Sequence, residues 1–397
     1  MILAGSTLCF AQEANTPKQI AMPQQVESSN AAALRMFAQL SKPGKDMFFS
    51  PYSISQALGM TYAGARANTA AEIAAALGFS DAGSTAKNMS AIAAALAANN
   101  GENKIETANS FWAQDGVAFL PEYLKVLGDS YGAEAHTENF SDNVKAASDI
   151  NGWVSKETQK LIPEVLPASA IDALTRLILV NSIYFKGVWQ DKFLKEDTRN
   201  DTFHGPVNSI LPFMHSSKRC RYADINGVQV LEKNYKGGEF AMQILLPDKA
   251  DGLAQLEASL SDKGLSQYTT GLAEVPVELS LPKFKSDFSI MLNEPLIALG
   301  IKDAFSVEKA DFSGMDGKTD LYISKVMHRA VVDVDEEGTK AAAATAVVMK
   351  LKAMHARITP VVFNADHPFV YVIRHIPTGT ILFMGEFGKE KPVMPKA

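Results

Sequence analysis

The chain has 397 residues, 47% of them hydrophobic and 21% charged, which is enough apolar material for a large core and excludes a disordered chain. Thirty-eight Lys and Arg against 44 Asp and Glu leave a net charge of -6, which argues against nucleic acid as a partner. Two cysteines, Cys9 and Cys220, rule out a disulfide framework, and no Cys/His spacing fits a zinc site, so neither metal nor cofactor is expected.

The chain opens on an apolar run with small residues around Cys9-Phe10-Ala11. This predicts a leader and flexible N-terminus over residues 1–20, with a signal peptide, and hence a secreted, extracellular or periplasmic protein. The competing reading is a plain extension, because no Lys or Arg precedes Lys18 and export leaders normally open with positive charge. Helical periodicity follows through Asn30 to Leu40, Ile54 to Tyr62, Thr69 to Leu77, Ala86 to Ala98 and Val144 to Thr158, so the first part of the chain reads as mainly helical. From Leu177 on, β-branched and aromatic runs such as LILVNSIYF, FAMQILL, VPVELSL and FVYVI alternate with Gly, Pro and Asp turns. The class is therefore α+β. No repeat or linker divides the interior, which gives one domain over 25–390 and a C-terminal tail over 391–397. No interior stretch approaches the ~18 apolar residues of a membrane span, so no membrane insertion is expected.

Motifs for catalysis fail on context. Gly128-Asp129-Ser130-Tyr131-Gly132 has the Gly-x-Ser-x-Gly pattern of a nucleophile elbow, but a helix precedes Ser130 and an extended segment follows, the reverse of what that elbow needs. Gly317-Lys318-Thr319 ends like a phosphate loop, yet Phe312 stands where its first Gly should be. The seven histidines show no metal-ligand spacing. His328 lies on an alternating strand with Val326, Ala330, Val332 and Val334 on its face, and Arg329, Asp333 and Asp335 on the other. That pattern describes a buried, hydrogen-bonded, neutral imidazole.

Five blocks carry a family resemblance. They are Phe49-Ser50-Pro51-Tyr52-Ser53-Ile54, Leu179-Val180-Asn181-Ser182-Ile183-Tyr184-Phe185-Lys186-Gly187-Val188-Trp189, Lys309-Ala310-Asp311-Phe312-Ser313-Gly314-Met315, Val326-Met327-His328-Arg329-Ala330 running into Asp335-Glu336-Glu337-Gly338-Thr339, and Phe363-Asn364-Ala365-Asp366-His367-Pro368-Phe369. In this order, over nearly the whole chain, they resemble the serpin family. The resemblance implies a single domain of about nine helices and three β-sheets, with an exposed reactive-centre loop at about 336–360. It also implies that the chain is not an enzyme but a protease inhibitor with a metastable fold, acting as a monomer on a serine endopeptidase. In that mechanism the protease is trapped as an acyl-enzyme while the cleaved loop inserts into the main sheet. By the same resemblance Ser50, Ser53, Asn181 and His328 form a gating cluster, and Trp189 and Thr198 stand near the place where the loop enters.

The segment Gly338 to Lys352, GTKAAAATAVVMKLK, can also be read by itself. Its Ala content favours a helix by propensity, whereas its place between sheet-like blocks and its Val and Thr suit a strand. As a strand it puts Thr339, Ala341, Ala343, Thr345 and Val347 on one face and Lys340 with Ala342, Ala344 and Ala346 on the other. Lys340 must face water, so the Thr339 face is the one for burial. Counting the family's spacing from the hinge acid Glu336, through Gly338 and Thr339, places the reactive bond at Lys352-Ala353. A Lys there suits a trypsin-like protease with an acidic pocket. Lys350 and Arg357 leave the register open. The alternative is a non-inhibitory serpin acting as a binding, carrier or chaperone-like protein.

Overall fold

The computed structural model describes residues 24–98, 101–339 and 359–391. Its helices form where apolar spacing and caps agree. Gln24–Leu40 buries Val26, Ala33, Met36, Phe37 and Leu40 on one stripe. Pro51–Gly64 starts with Ser50 as its cap, whose side chain accepts from the Ser53 N–H, and carries Pro at its first turn. This helix is buried along almost its whole length and so lies in the middle of the molecule. Asp81 and Asp142 cap Ala82–Ala97 and Asn143–Glu157 in the same way. Among the described residues there are ten α-helical segments, two of them only four residues long, in keeping with the number expected.

The described strands join into a six-stranded and a nine-stranded sheet. The three sheets expected are thus two by hydrogen bonding. The reason is the 16-residue strand Ser209–Asp224, which pairs with Arg199–Phe203 at one end, with Val228–Asn234 at the other and with Ala273–Pro282 along its length. That strand ties together what would otherwise be separate sheets. The first part of the chain also contributes the long strand Lys104–Gln114 and the edge strand Glu134–Glu138, which its helical periodicity did not announce.

The six-stranded sheet positions the site. Its strands run in the order Phe284–Met291, Ile323–Val334, Gly338–Thr339, Leu177–Val188, Lys104–Gln114, Glu134–Glu138. Leu177–Val188 is buried along both faces, as its unbroken apolar run requires. It pairs in parallel with Ile323–Val334 from Leu177 opposite Ile323 up to Tyr184 opposite Val331. The alternation of Ile323–Val334 sorts its side chains as the sequence predicts. Val326, Ala330, Val332 and Val334 face the main core, whereas Met327 and Val331 face a second cluster under helix Asn143–Glu157. The Gly-Asp-Ser-Tyr-Gly stretch is the last, π-helical turn after Pro121–Val126, closed by Gly132 in the left-handed conformation. It is a helix terminator and not a nucleophile elbow.

Candidate functional site

The seam between Leu177–Val188 and Ile323–Val334 has two differently built ends. At its middle, His328 stands directly opposite Asn181 across the parallel pair. Ser50, Ser53, Asn181 and His328 are all fully buried. The Ser50 N–H, at the start of the central helix, donates to His328 Nε2 at 3.1 Å, so Nδ1 carries the proton and donates to Asn181 Oδ1 at 2.5 Å. Asn181 Nδ2 turns toward Ser53 O at 2.8 Å, Ser53 Oγ at 2.5 Å and Asn109 Oδ1 at 2.5 Å. Ser50 Oγ donates to Leu382 O at 2.5 Å. Burial lowers the His328 pKa to about 3, so the imidazole is neutral, as its place on an apolar face predicts. The four residues named from the sequence form one network, which ties both strands of the seam to the helix beneath.

At the upper end the seam is already open. Ile323–Val334 turns at Asp335–Glu337 and comes back as the two-residue strand Gly338–Thr339. This short strand lies antiparallel to both neighbours, with Thr339 opposite Val334 and Gly187, and Gly338 opposite Val188. Gly338 has φ +152, and a Cβ there would come within 2.0 Å of Gly187 O. Only glycine lets the backbone approach so closely. Thr339 is fully buried and its Oγ1 meets Tyr235 OH at 2.8 Å.

The turn itself is held from several sides. Trp189 N–H donates to Glu337 O and Phe193 N–H to Glu336 O, both at 3.0 Å. Trp189 Nε1 donates to Asp335 O at 3.0 Å. The Glu336 carboxylate receives Thr198 Oγ1 at 2.8 Å and Lys283 Nζ at 2.7 Å, and Glu337 pairs with Lys192 at 2.5 Å. Burial alone would raise the Glu336 pKa, but hydrogen bonds from Lys283, its own N–H and Thr198 outweigh it and lower the value. Trp189, Thr198, Glu336, Gly338 and Thr339, all named from the sequence, therefore meet at one place. Lys283, Tyr235, Lys192 and Asn109 were not named, and no local motif marks them. The remaining loop residues, Ala341, Ala343, Thr345, Lys350, Lys352, Ala353 and Arg357, lie outside the described residues.

The two inner strands of this sheet thus pair below and part above. The chain matches the Serpin family, described as serine protease inhibitor, over residues 27–389. The chain is a serpin. It is 38% identical to the leukocyte elastase inhibitor of Homo sapiens, covering 92% of this chain and 99% of that protein, and 37% identical to leukocyte elastase inhibitor A of Rattus norvegicus. Among solved structures it is similar to a native-state thermophilic serpin, Tengpin, with a TM-score of 0.85 at 26% identity, covering 94% of this chain and 96% of that one. It is also similar to an Arabidopsis serpin in its native stressed conformation, with a TM-score of 0.83 at 31% identity, covering 92% and 98%.

This serpin is a protease inhibitor, not an enzyme, and its targets are serine proteases. One expectation is corrected. The reading as a secreted or periplasmic protein with a signal peptide does not agree with its relatives, the leukocyte elastase inhibitors. Those proteins are matched over 98% and 99% of their own length. No described helix of this serpin is long and apolar enough to cross a membrane.

Proposed function

We propose that this serpin is a suicide-substrate inhibitor of trypsin-like serine endopeptidases, cleaved at Lys352-Ala353. The observation that carries the reading is the seated pair Gly338–Thr339, which occupies the top of a seam whose strands pair directly below it. The chain beyond Thr339 has only to follow these two residues to become a new strand. The protease Ser Oγ attacks the Lys352 carbonyl carbon, the Lys352–Ala353 C–N bond breaks, and the amine of Ala353 leaves with a proton from the protease histidine. The ester that remains is hydrolysed by water unless insertion first carries the tethered protease away. About 15 extended residues span roughly 50 Å, enough to move it across a domain of this size.

Ala341, Ala343 and Thr345 continue the face on which Thr339 is buried, and small side chains there suit a sliding strand. Glu336, Gly338 and Thr339 act as the hinge, Trp189 and Thr198 frame the place of insertion, and Ser50, Ser53, Asn181 and His328 gate the seam below. The trypsin-like assignment does not depend on the register, because Lys350, Lys352 and Arg357 all place a base in an acidic pocket. The inhibitor acts as a monomer, through the one domain at 25–390.

Mixing the protein with trypsin, then running SDS electrophoresis and weighing the released peptide, tests the reading. An SDS-resistant complex and a peptide beginning at Ala353 are expected. A peptide beginning at Leu351 or Ile358 would move the bond, and complete turnover without complex would favour the non-inhibitory alternative.

A further inference from the structure

Lys233 takes no part in the network described so far, yet it is a lysine only 4% exposed beside the upper end of the seam. It comes from the strand Val228–Asn234 of the nine-stranded sheet. Its Nζ donates to Asp191 O at 2.7 Å and sits 5.2 Å from the centre of the Trp189 ring and 4.4 Å from that of Phe193. One ammonium thus touches the segment 189–193 at its start, middle and end. The two end residues of that segment are the ones whose N–H groups hold Glu337 O and Glu336 O. Trp189 also stacks on Tyr235 at 4.4 Å, and Tyr235 holds Thr339. The backbone contacts of segment 189–193 to Glu336 and Glu337, and the Tyr235 contact to Thr339, therefore run through residues that Lys233 grips or that stack on them.

We propose that Lys233 is a positioning residue for loop insertion, its ammonium gripping segment 189–193 so that the turn stays seated and the chain beyond Thr339 enters the seam in register. The proposal rests on the strand-insertion reading. A desolvated cation over two aromatic faces is a charge-dependent contact, so the grip weakens when the lysine loses its proton. Burial brings that loss into an accessible range by lowering the Lys233 pKa to about 8. The charged and titratable groups that face it are Asp191, which favours its charge, Lys218, which opposes it, and Cys220, which would favour it only as the thiolate. Burial raises the Cys220 pKa, which keeps that thiol neutral where the lysine titrates.

Two variants separate charge from packing. Lys233→Met keeps an apolar stem and removes the charge, and Lys233→Arg keeps a charge at every accessible pH. Tryptophan emission of the intact wild type, followed from pH 6.5 to 9.5, is expected to titrate near the lysine pKa, and the transition should vanish in both variants. With bovine trypsin, the ratio of SDS-resistant complex to cleaved inhibitor is expected to fall by about three- to thirtyfold in Lys233→Met at pH 7, the span of a desolvated cation–π contact. The wild type should show the same fall above its transition, and Lys233→Arg should show none. A transition that persists in Lys233→Met, or a wild-type ratio in that variant at pH 7, would overturn the proposal. Wild type that is cleaved without complex, with the transition still lost in Lys233→Met, would instead sink the inhibitor reading and support the grip on the turn.

Discussion

The middle and the upper end of the seam are built from opposite chemistry. The middle is closed by neutral groups, Ser50, Ser53, Asn181 and His328, all fully buried, with His328 and Asn181 directly across from each other. The upper end is held open by two residues already in place and clamped by ion pairs, Lys283 to Glu336 and Lys192 to Glu337, together with the aromatic rings of Trp189 and Tyr235. A neutral buried network costs little to form and much to break halfway, since each group left unpaired loses about 1 to 3 kcal/mol. Each of these ion pairs has a part-exposed ammonium on a largely buried carboxylate, so water reaches one partner and the pair rearranges more easily than the neutral network. On the insertion reading proposed above, the sheet opens from the top and the middle resists further opening.

The largest way to break this contrast is at Gly338. Gly338→Ala puts a Cβ within 2.0 Å of Gly187 O and 2.8 Å of Val188 Cα, both backbone atoms that cannot step aside. A loss of about 3 kcal/mol or more in denaturant unfolding is expected, along with loss of protease complex. A wild-type midpoint would show that the seated pair is not needed at the top. Next comes His328→Ala, which leaves the Ser50 N–H and Asn181 Oδ1 unpaired. Its expected cost is about 2 to 3 kcal/mol, and native gels after mild heating should show oligomers, because an opened sheet offers an edge to a second molecule. Unchanged melting and a purely monomeric profile would count against a gate at this position.

The third effect is pH-dependent. The folded pKa of His328 is lowered from 6.5 to about 3, so below pH 6.5 the unfolded chain takes up a proton that the folded chain refuses. The stability this residue contributes is complete above pH 6.5 and is lost as pH falls toward 3. Between pH 7 and pH 5 the loss from this group is about 2 kcal/mol. Chemical unfolding of wild type and His328→Gln at both pH values should show that much difference in slope, and parallel slopes would remove the neutral imidazole from the account. The smallest effect is expected for Lys283→Met, about 1 to 2 kcal/mol in denaturant unfolding, since the buried Glu336 carboxylate loses one charged donor but keeps Thr198.

The middle of the seam was more legible in the sequence than the top. The period of two along Val326 to Val334 already puts His328 on the core face, whereas Ser50, Ser53 and Asn181 were named through the family resemblance. Glu336 and Gly338 came from the same resemblance, and alternation added only the buried face of Thr339. Lys283, Tyr235, Lys192 and Lys233 carried no local signal. Lys283 reaches Glu336 across 53 positions of chain, and Tyr235 reaches Thr339 across 104, brought together by how the two sheets stack and not by any spacing. The strand Lys104–Gln114 was missed because KIETANSFWAQ mixes polar and apolar residues on the face that another strand and a helix cover. The number of sheets depended on the reach of Ser209–Asp224, which hydrogen bonds decide and composition does not.

On the proposed mechanism, cutting the loop lets the chain beyond Thr339 fill the seam between Leu177–Val188 and Ile323–Val334. Thermal unfolding before and after complete cleavage by a catalytic amount of protease tests it most directly. About a dozen new ladder hydrogen bonds at roughly 1 kcal/mol each should raise the melting temperature by tens of degrees. The cleaved Thr339→Arg variant, with a charge on the buried face, should gain far less. A cleaved wild type that melts at the temperature of the intact protein would contradict the account.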